Sequence, residues 1–282
     1  MNNYIELNNN IKIPRIGLGT WQITDKDIMS DIVKNAFDTG YRMFDTAAAY
    51  TNERILGKAI ENLNIQRNEV FISDKVWNTY RGKNKVVEAC QNSLKKLKLE
   101  YIDLYMIHWP ASKKLYDNWE EINASTWEGM EEVYNMGLVK AIGVCNFKKH
   151  HLEALKKTAK IMPMVNQFEY HPGINHNELI EFCKLEHIAT EASSPLGNGQ
   201  ILGNPIIQDI ATKHNKTIAQ ICLRWSVQKG FIVIPKTTNK NRAVENYNIF
   251  DFELTNNEME QINKIPYCGG IGIDSDEVVE FG

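Results

Sequence analysis

Eight short runs of apolar or β-branched residues alternate with stretches of helical periodicity, and this alternation constrains the fold more than any other feature. The runs cover residues 16–19, 42–44, 70–73, 103–107, 139–144, 164–167, 188–192 and 231–234. Several lack strict in-and-out alternation, as parallel strands covered on both faces do. Between them, residues 27–39 carry Ile28, Ile32, Val33, Ala36 and Phe37 at helical spacing and stop before Gly40. Residues 84–97 place Val87, Cys90, Leu94 and Leu97 on one face, and residues 119–135, 148–157, 177–186 and 217–228 behave similarly. The pattern predicts an α/β fold, a (β/α)8 TIM barrel. A doubly wound sheet is the second choice, without a G-x-G-x-x-G fingerprint to support it. Ahead of the first run, residues 4–7 and 11–13 flank Asn8-Asn-Asn10, which predicts a β-hairpin placed to plug the N-terminal end of the barrel.

With 282 residues and no linker-like segment, the chain is expected to be one domain over 1–282, ending in a loop tail rich in Gly and acids. Hydrophobic residues at 43%, charged residues at 24% and a net charge of −3 describe a soluble protein and argue against a nucleic-acid binder. No apolar run reaches the roughly 18 residues that cross a bilayer. The N-terminal residues lack the basic and apolar regions of a secretory signal. The five cysteines are odd in number, scattered and without a CxxC pair, so free thiols in a reducing cytoplasm are expected. His150-His151, His171 and His176 lack the spacing of helical metal ligands, and no metal is expected.

In such a barrel, chemistry collects at the C-terminal strand ends. Asp45, Lys75 and His108 each follow a strand candidate, and Tyr50 follows Asp45 by five residues. Taken singly, Asp45 reads as a helix cap, Tyr50 as packing, Lys75 as a solvated cation and His108 as a satisfied buried imidazole. Delivered together to one mouth, they form a tuned acid. A phenol ordinarily titrates near pH 10, a neighbouring ammonium lowers that value, and a carboxylate holds the ammonium charged. A neutral imidazole orients a carbonyl oxygen. The set protonates a carbonyl oxygen but supplies no hydride, so it implies a cofactor.

The segments Gly17-Leu-Gly-Thr-Trp21, Phe44-Asp-Thr-Ala-Ala-Ala-Tyr50, Lys75-Val-Trp-Asn78, Leu104-Tyr-Met-Ile-His-Trp-Pro110, Gly143-Val-Cys-Asn-Phe147, Asn166-Gln-Phe-Glu-Tyr-His-Pro172, Ser194-Pro-Leu-Gly197 and Ile234-Pro-Lys-Thr237 resemble, in order, those of aldo-keto reductases. The Lys75-Val-Trp-Asn form resembles the microbial branch, with its diketogluconate, glyoxal and methylglyoxal reductases and some protozoan prostaglandin F synthases. The resemblance implies that Tyr50 is the proton donor, Asp45 and Lys75 its tuners and His108 the group that orients substrate. It places Cys145, Asn146 and Gln167 at the nicotinamide carboxamide, and Gly19, Thr20 and Trp21 on the cofactor. Ser194 and Leu196, with the Gly197-Asn-Gly199 turn, would lie over the pyrophosphate. Cys145 stands where the family usually has Ser. Ser193 stands where it has a Tyr or Trp stacked on the nicotinamide, so weaker cofactor binding or a substitute aromatic is expected.

Lys236, Thr237 and Thr238 follow the last strand candidate, and a short helix beginning at Arg242 carries Glu245 and Asn246. Hydroxyls, cations and a helix N-terminus suit a phosphate. The resemblance puts the adenosine 2′-phosphate there and implies NADPH. Trp21, Trp77 and Trp109 are expected to wall a pocket for a small carbonyl substrate. The last loop lacks the family's usual Arg before Gly, which leaves specificity open. The expected protein is thus an NADPH-dependent reductase of small aldehydes, α-dicarbonyls or ketones, a monomer rather than an oligomer. The competing readings are a Schiff-base lyase or aldolase using Lys75, and a non-catalytic cofactor-sensing or interaction protein on the same fold.

Overall fold

In a computed structural model, which describes residues 3–277, the eight runs form one parallel sheet in sequence order. Its strands are β3 (Leu18–Gly19), β4 (Met43–Asp45), β5 (Phe71–Val76), β6 (Ile102–Ile107), β7 (Val139–Cys145), β8 (Val165–Glu169), β9 (Ala189–Ser193) and β10 (Ile232–Val233). The edges meet. Gly17 N donates to Val233 O at 2.9 Å, Val233 N to Arg15 O at 3.0 Å and Gly19 N to Pro235 O at 3.2 Å. Gly19 is required at this seam, since a Cβ there would lie 2.9 Å from the Ile234 carbonyl oxygen. The result is a closed (β/α)8 barrel.

Two boundaries differ from expectation in an informative way. Asp45 and Lys75 lie within β4 and β5 rather than after them, and every residue of β5 is buried. Charges normally end an apolar run. Here each charge neutralises the other inside the barrel, so the strands continue through them. Ser73 and Lys75, two residues apart, share the inward face of β5.

The helices cover the outside. They include α1 (Lys26–Thr39), α2 (Glu53–Asn62), α3 (Lys83–Leu97), α4 (Trp119–Asn135), α5 (Lys149–Lys156), α6 (Asn177–Leu185), α7 (Pro205–His214), α8 (Ile218–Gln228), α9 (Lys240–Tyr247) and α10 (Asn256–Asn263). The starts of α1, α7, α8, α9 and α10 carry side-chain caps. The Asp25 carboxylate accepts from the backbone of Asp27 and Ile28, and Thr217 with Gln220 forms a capping box on α8. Helices α7 and α10 were not anticipated. The first is announced only by its Asn204 cap and Pro205 at its first position.

The N-terminal hairpin is present: β1 (Tyr4–Glu6) pairs antiparallel with β2 (Lys12–Pro14). The Asn9 side chain donates to Lys140 O at 3.0 Å and that of Asn8 to Pro163 O at 3.5 Å. Lys140 is the second residue of β7 and Pro163 precedes β8, so the hairpin lies across the N-terminal end of the barrel. No helix among the described residues is long and apolar enough to cross a membrane. All five cysteines are free, four of them buried.

The tail folds back to the opposite end. Glu169, the last residue of β8, accepts from the backbone N–H groups of Ile271 at 2.6 Å and Gly272 at 2.9 Å. Further on, Asp274 and Asp276 receive the Lys148 ammonium. The final part of the expected tail, residues 278–282, lies outside the described residues.

Candidate active site

The four expected catalytic residues converge at the C-terminal end of the barrel. Asp45 is 2% exposed and Lys75 is fully buried. The Lys75 ammonium donates to both Asp45 carboxylate oxygens at 2.7 Å and to Thr46 O at 2.9 Å, which uses all three of its hydrogens. Ser73 Oγ donates to Asp45 Oδ2 at 2.8 Å. Burial disfavours the ammonium, but Asp45 beside it more than compensates and holds Lys75 firmly charged.

A single turn of tight helix, residues 48–50, presents Tyr50 above this pair, with the Lys75 ammonium 5.2 Å from the phenol ring centre. Thr51 adopts a left-handed conformation just beyond it. Asn52, fully buried, fixes the turn. Its amide nitrogen donates to Thr20 O at 2.8 Å and Ile23 O at 3.1 Å, and its oxygen accepts from Thr46 Oγ1 at 2.6 Å. This clamp has no local signature in the sequence, because Thr20 and Ile23 lie 32 and 29 residues away along the chain. Tyr50 also corrects an expectation. Burial pushes the phenol up to about 12 and outweighs the lowering by Lys75, while Asp45 and Cys145 add to the rise. Tyr50 therefore holds its proton at neutral pH, as a donor must.

His108 follows β6, edge-on to Tyr50 with ring centres 5.7 Å apart. Burial, then the Lys75 charge, holds the imidazole well below its usual value and so neutral, and its Nδ1 has no hydrogen-bond partner among the described residues. Trp77 lies edge-on to it at 5.2 Å and Trp109 roughly parallel at 6.4 Å. Trp21, just past β3, is 40% exposed.

The residues expected to hold the cofactor surround this centre. Thr20 Oγ1 donates to Asp45 O at 2.8 Å, tying the end of β3, next to Gly19, to β4. Cys145 ends β7, buried, with its sulfur 3.6 Å from that of Met106. Asn146 adopts φ 62°, and its side chain donates to His108 O at 2.9 Å. Gln167 is buried in β8, its amide nitrogen donating to Asp45 Oδ2 at 3.2 Å and Glu191 Oε1 at 2.6 Å. Ser193 ends β9, half-buried. Ser194, Gly197, Asn198 and Gly199 all have positive φ, and Leu196 accepts from Gly199 N within this turn.

After β10, Thr237 Oγ1 accepts from Asn239 N, and Asn239 caps α9 by accepting from Arg242 N, each at 3.0 Å. This helix begins at Lys240, two residues earlier than expected. Lys240 pairs with Asp31 at 3.0 Å, whereas the exposed Lys236 and Arg242 have no ion pair among the described residues. Lys236 and Arg242 thus leave two uncommitted cations, with the exposed Thr238 and the turn that Thr237 braces, beside a helix N-terminus, a set that fits a phosphate. Glu245 is engaged elsewhere, accepting from Thr217 Oγ1 at 2.7 Å, and Asn246 is buried.

The histidine pair has a partner that spacing along one helix does not reveal. His150, His151 and Asp276 bring their side-chain atoms within 4.8 Å of one another. His151 Nδ1 accepts from Lys148 N at 3.1 Å, so its Nε2 carries the proton, while the hydrogen bond to Asp276 Oδ1 comes from His150 Nε2 at 3.0 Å. Burial and the neighbouring His150 lower the His151 imidazole to about 3, keeping it neutral. With the Lys148 ammonium 2.7 Å from the same carboxylate, this group fastens the tail to α5.

A model of the Aldo/keto reductase family matches residues 15–266. The chain belongs to the aldo/keto reductase family. Among its aldo/keto reductase relatives is the Trypanosoma cruzi 9,11-endoperoxide prostaglandin H2 reductase, 45% identical over 99% of this chain and 97% of that protein. The Bacillus subtilis glyoxal reductase is 42% identical, over 98% of this chain and 97% of its own length. A crystal structure of a Bombyx mori aldo-keto reductase in complex with NADP superposes with a TM-score of 0.84 at 36% identity, covering 92% of this chain and 91% of that one.

Proposed function

We propose that this aldo/keto reductase is a single-domain NADPH-dependent enzyme that reduces small aldehydes, α-dicarbonyls or ketones to alcohols. The observation that carries the reading is the dry Asp45–Lys75 pair beneath Tyr50, with a neutral His108 alongside. The nicotinamide, when bound, supplies a hydride to the carbonyl carbon. Tyr50 gives its hydroxyl proton to the carbonyl oxygen, completing the alcohol. The Lys75 ammonium stabilises the phenolate left behind, and Asp45 keeps that ammonium charged and in place. His108 is placed to orient the carbonyl oxygen. Trp77 and Trp109, with Trp21 at the rim, would form an apolar wall around a small carbonyl substrate. Names of relatives such as glyoxal reductase support the α-dicarbonyl class. Four buried free cysteines support a reducing cytoplasm, and we take the working form to be a monomer. A Schiff-base role for Lys75 is disfavoured, because a lysine tied bidentately to Asp45 has no lone pair to offer.

Lys236 and Arg242, with Thr237 and Thr238, would hold the 2′-phosphate, Ser194 and Leu196 the pyrophosphate, and Asn146, Gln167 and Cys145 the carboxamide. The test is NADPH oxidation with methylglyoxal, alongside NADH. Turnover should favour NADPH. The Lys236→Met/Arg242→Met double variant should weaken NADPH by at least about tenfold, the worth of one charge-assisted hydrogen bond, and leave NADH unaffected. Equal losses for both cofactors would remove the phosphate assignment. NADPH binding without turnover on any carbonyl would favour a sensing role.

Ser193 has no ring to stack on the nicotinamide. Replacing it with Trp should tighten NADPH about two- to tenfold, the range of an added aromatic contact, as read by fluorescence titration. Unchanged affinity would mean that another group already covers that face of the ring.

A further inference from the structure

Glu191 lies at the centre of β9, completely buried, and neither the sequence reading nor the proton-transfer chemistry above uses it. Its Oε1 accepts from Gln167 Nε2 at 2.6 Å, while its Oε2 is buried without a partner among the described residues. The same Gln167 nitrogen donates to Asp45 Oδ2 at 3.2 Å. A continuous buried chain therefore runs from Lys75 through Asp45 and Gln167 to Glu191. It fixes one otherwise ambiguous choice. An amide can present nitrogen or oxygen to its surroundings, and its neighbours decide which. Turned over, Gln167 would set its oxygen against an Asp45 carboxylate oxygen, and Glu191 Oε1 would lose its donor. The Asp45 carboxylate and Glu191 Oε1, both acceptors, hold the nitrogen inward, and the amide oxygen keeps no partner among the described residues.

We propose that Glu191 is a positioning residue that, with Asp45, locks the Gln167 amide so that its oxygen meets the carboxamide N–H of a bound nicotinamide. This rests on the reductase reading above and adds a residue to it. The charge balance agrees. Two carboxylates share the barrel interior with one ammonium, and Lys75 neutralises Asp45, so Glu191 is the surplus acid. Burial first, then Asp45, pushes its carboxyl up to about 8, with Lys75 and Gln167 opposing. The charged or titratable groups facing it are Asp45 on β4, Lys75 on β5 and Cys145 on β7.

The test compares NADPH with 2′-phospho-ADP-ribose, which lacks the nicotinamide, by quenching of tryptophan fluorescence. Glu191→Met should weaken NADPH about tenfold, the equivalent of one lost hydrogen bond, and leave 2′-phospho-ADP-ribose unchanged. Glu191→Gln retains a carbonyl that accepts from Gln167 and should restore NADPH binding. A second readout is specific to the charge. In the wild type the affinity for NADP+ relative to NADPH should rise as pH passes through about 8, because ionised Glu191 attracts the cationic ring. In Glu191→Gln that ratio should stay flat. Equal weakening of both ligands, no weakening of NADPH in Glu191→Met, or a pH-dependent ratio that persists in Glu191→Gln would each overturn the assignment. A wild type that binds neither ligand would overturn the reductase reading and this inference together.

Discussion

Tyr50→Phe should lower kcat for methylglyoxal reduction by about 10²–10⁴-fold while leaving the Kd for NADPH within about twofold, a change of under 1 kcal/mol. The substitution removes one oxygen atom from a half-buried ring and leaves the ring's edge-on contact with His108 intact. The turn is fixed by Asn52 through Thr20, Ile23 and Thr46. The loss should therefore fall on the chemical step alone. Stopped-flow reduction and equilibrium titration separate the two quantities. A variant that keeps wild-type kcat would place the proton donor elsewhere, and one that also loses NADPH would show that Tyr50 holds the loop.

Lys75→Met should be the most damaging single change to both stability and turnover. It leaves Asp45 ionised and buried with only Ser73 and Gln167 as donors. Removing one partner of a buried ion pair costs about 3–5 kcal/mol. The sign of its pH dependence follows from linkage. An unpaired buried carboxylate titrates above its unfolded value, so the folded variant binds the extra proton. Its stability then falls as pH rises above about 4 and recovers on acidification toward that value. The stability gap between wild type and variant, measured by denaturant unfolding, should thus narrow in acid. Adding Asp45→Asn should restore stability at neutral pH without restoring activity. A constant gap at every pH would mean that Asp45 is neutral or solvated in the variant.

The strand-and-helix alternation and the positions of Asp45, Tyr50, Lys75 and His108 could all be read from the sequence, because barrel chemistry gathers at strand ends and those ends are marked by short apolar runs. What escaped detection has specific causes. Strands β4 and β5 extend through Asp45 and Lys75, and a reading that ends strands at charges cannot see that the charges cancel across the sheet. Glu191 sat in plain view inside an apolar run. A charge at the middle of a buried strand was itself a signal, but its partner Gln167 lies on a different strand. The group joining Asp276 to His150 and His151 bridges well over a hundred residues of chain, beyond any spacing rule. Helix α10 offered only a short, largely polar segment whose capping box, Thr255 with Glu258, emerges once the fold brings it into place.

The grip of Glu169 on the tail has an evolutionary consequence. Its carboxylate holds main-chain N–H groups of residues 271 and 272, so the attachment is indifferent to the side chain at position 271. Gly270 does not share this freedom. It sits at φ 147°, where a Cβ would come within 2.4 Å of the Glu169 carboxylate. One rigid position beside a permissive one lets the lip of the barrel exchange side chains without detaching. The side chain at Ile271 can then change with the Glu169 hold on the main chain left intact.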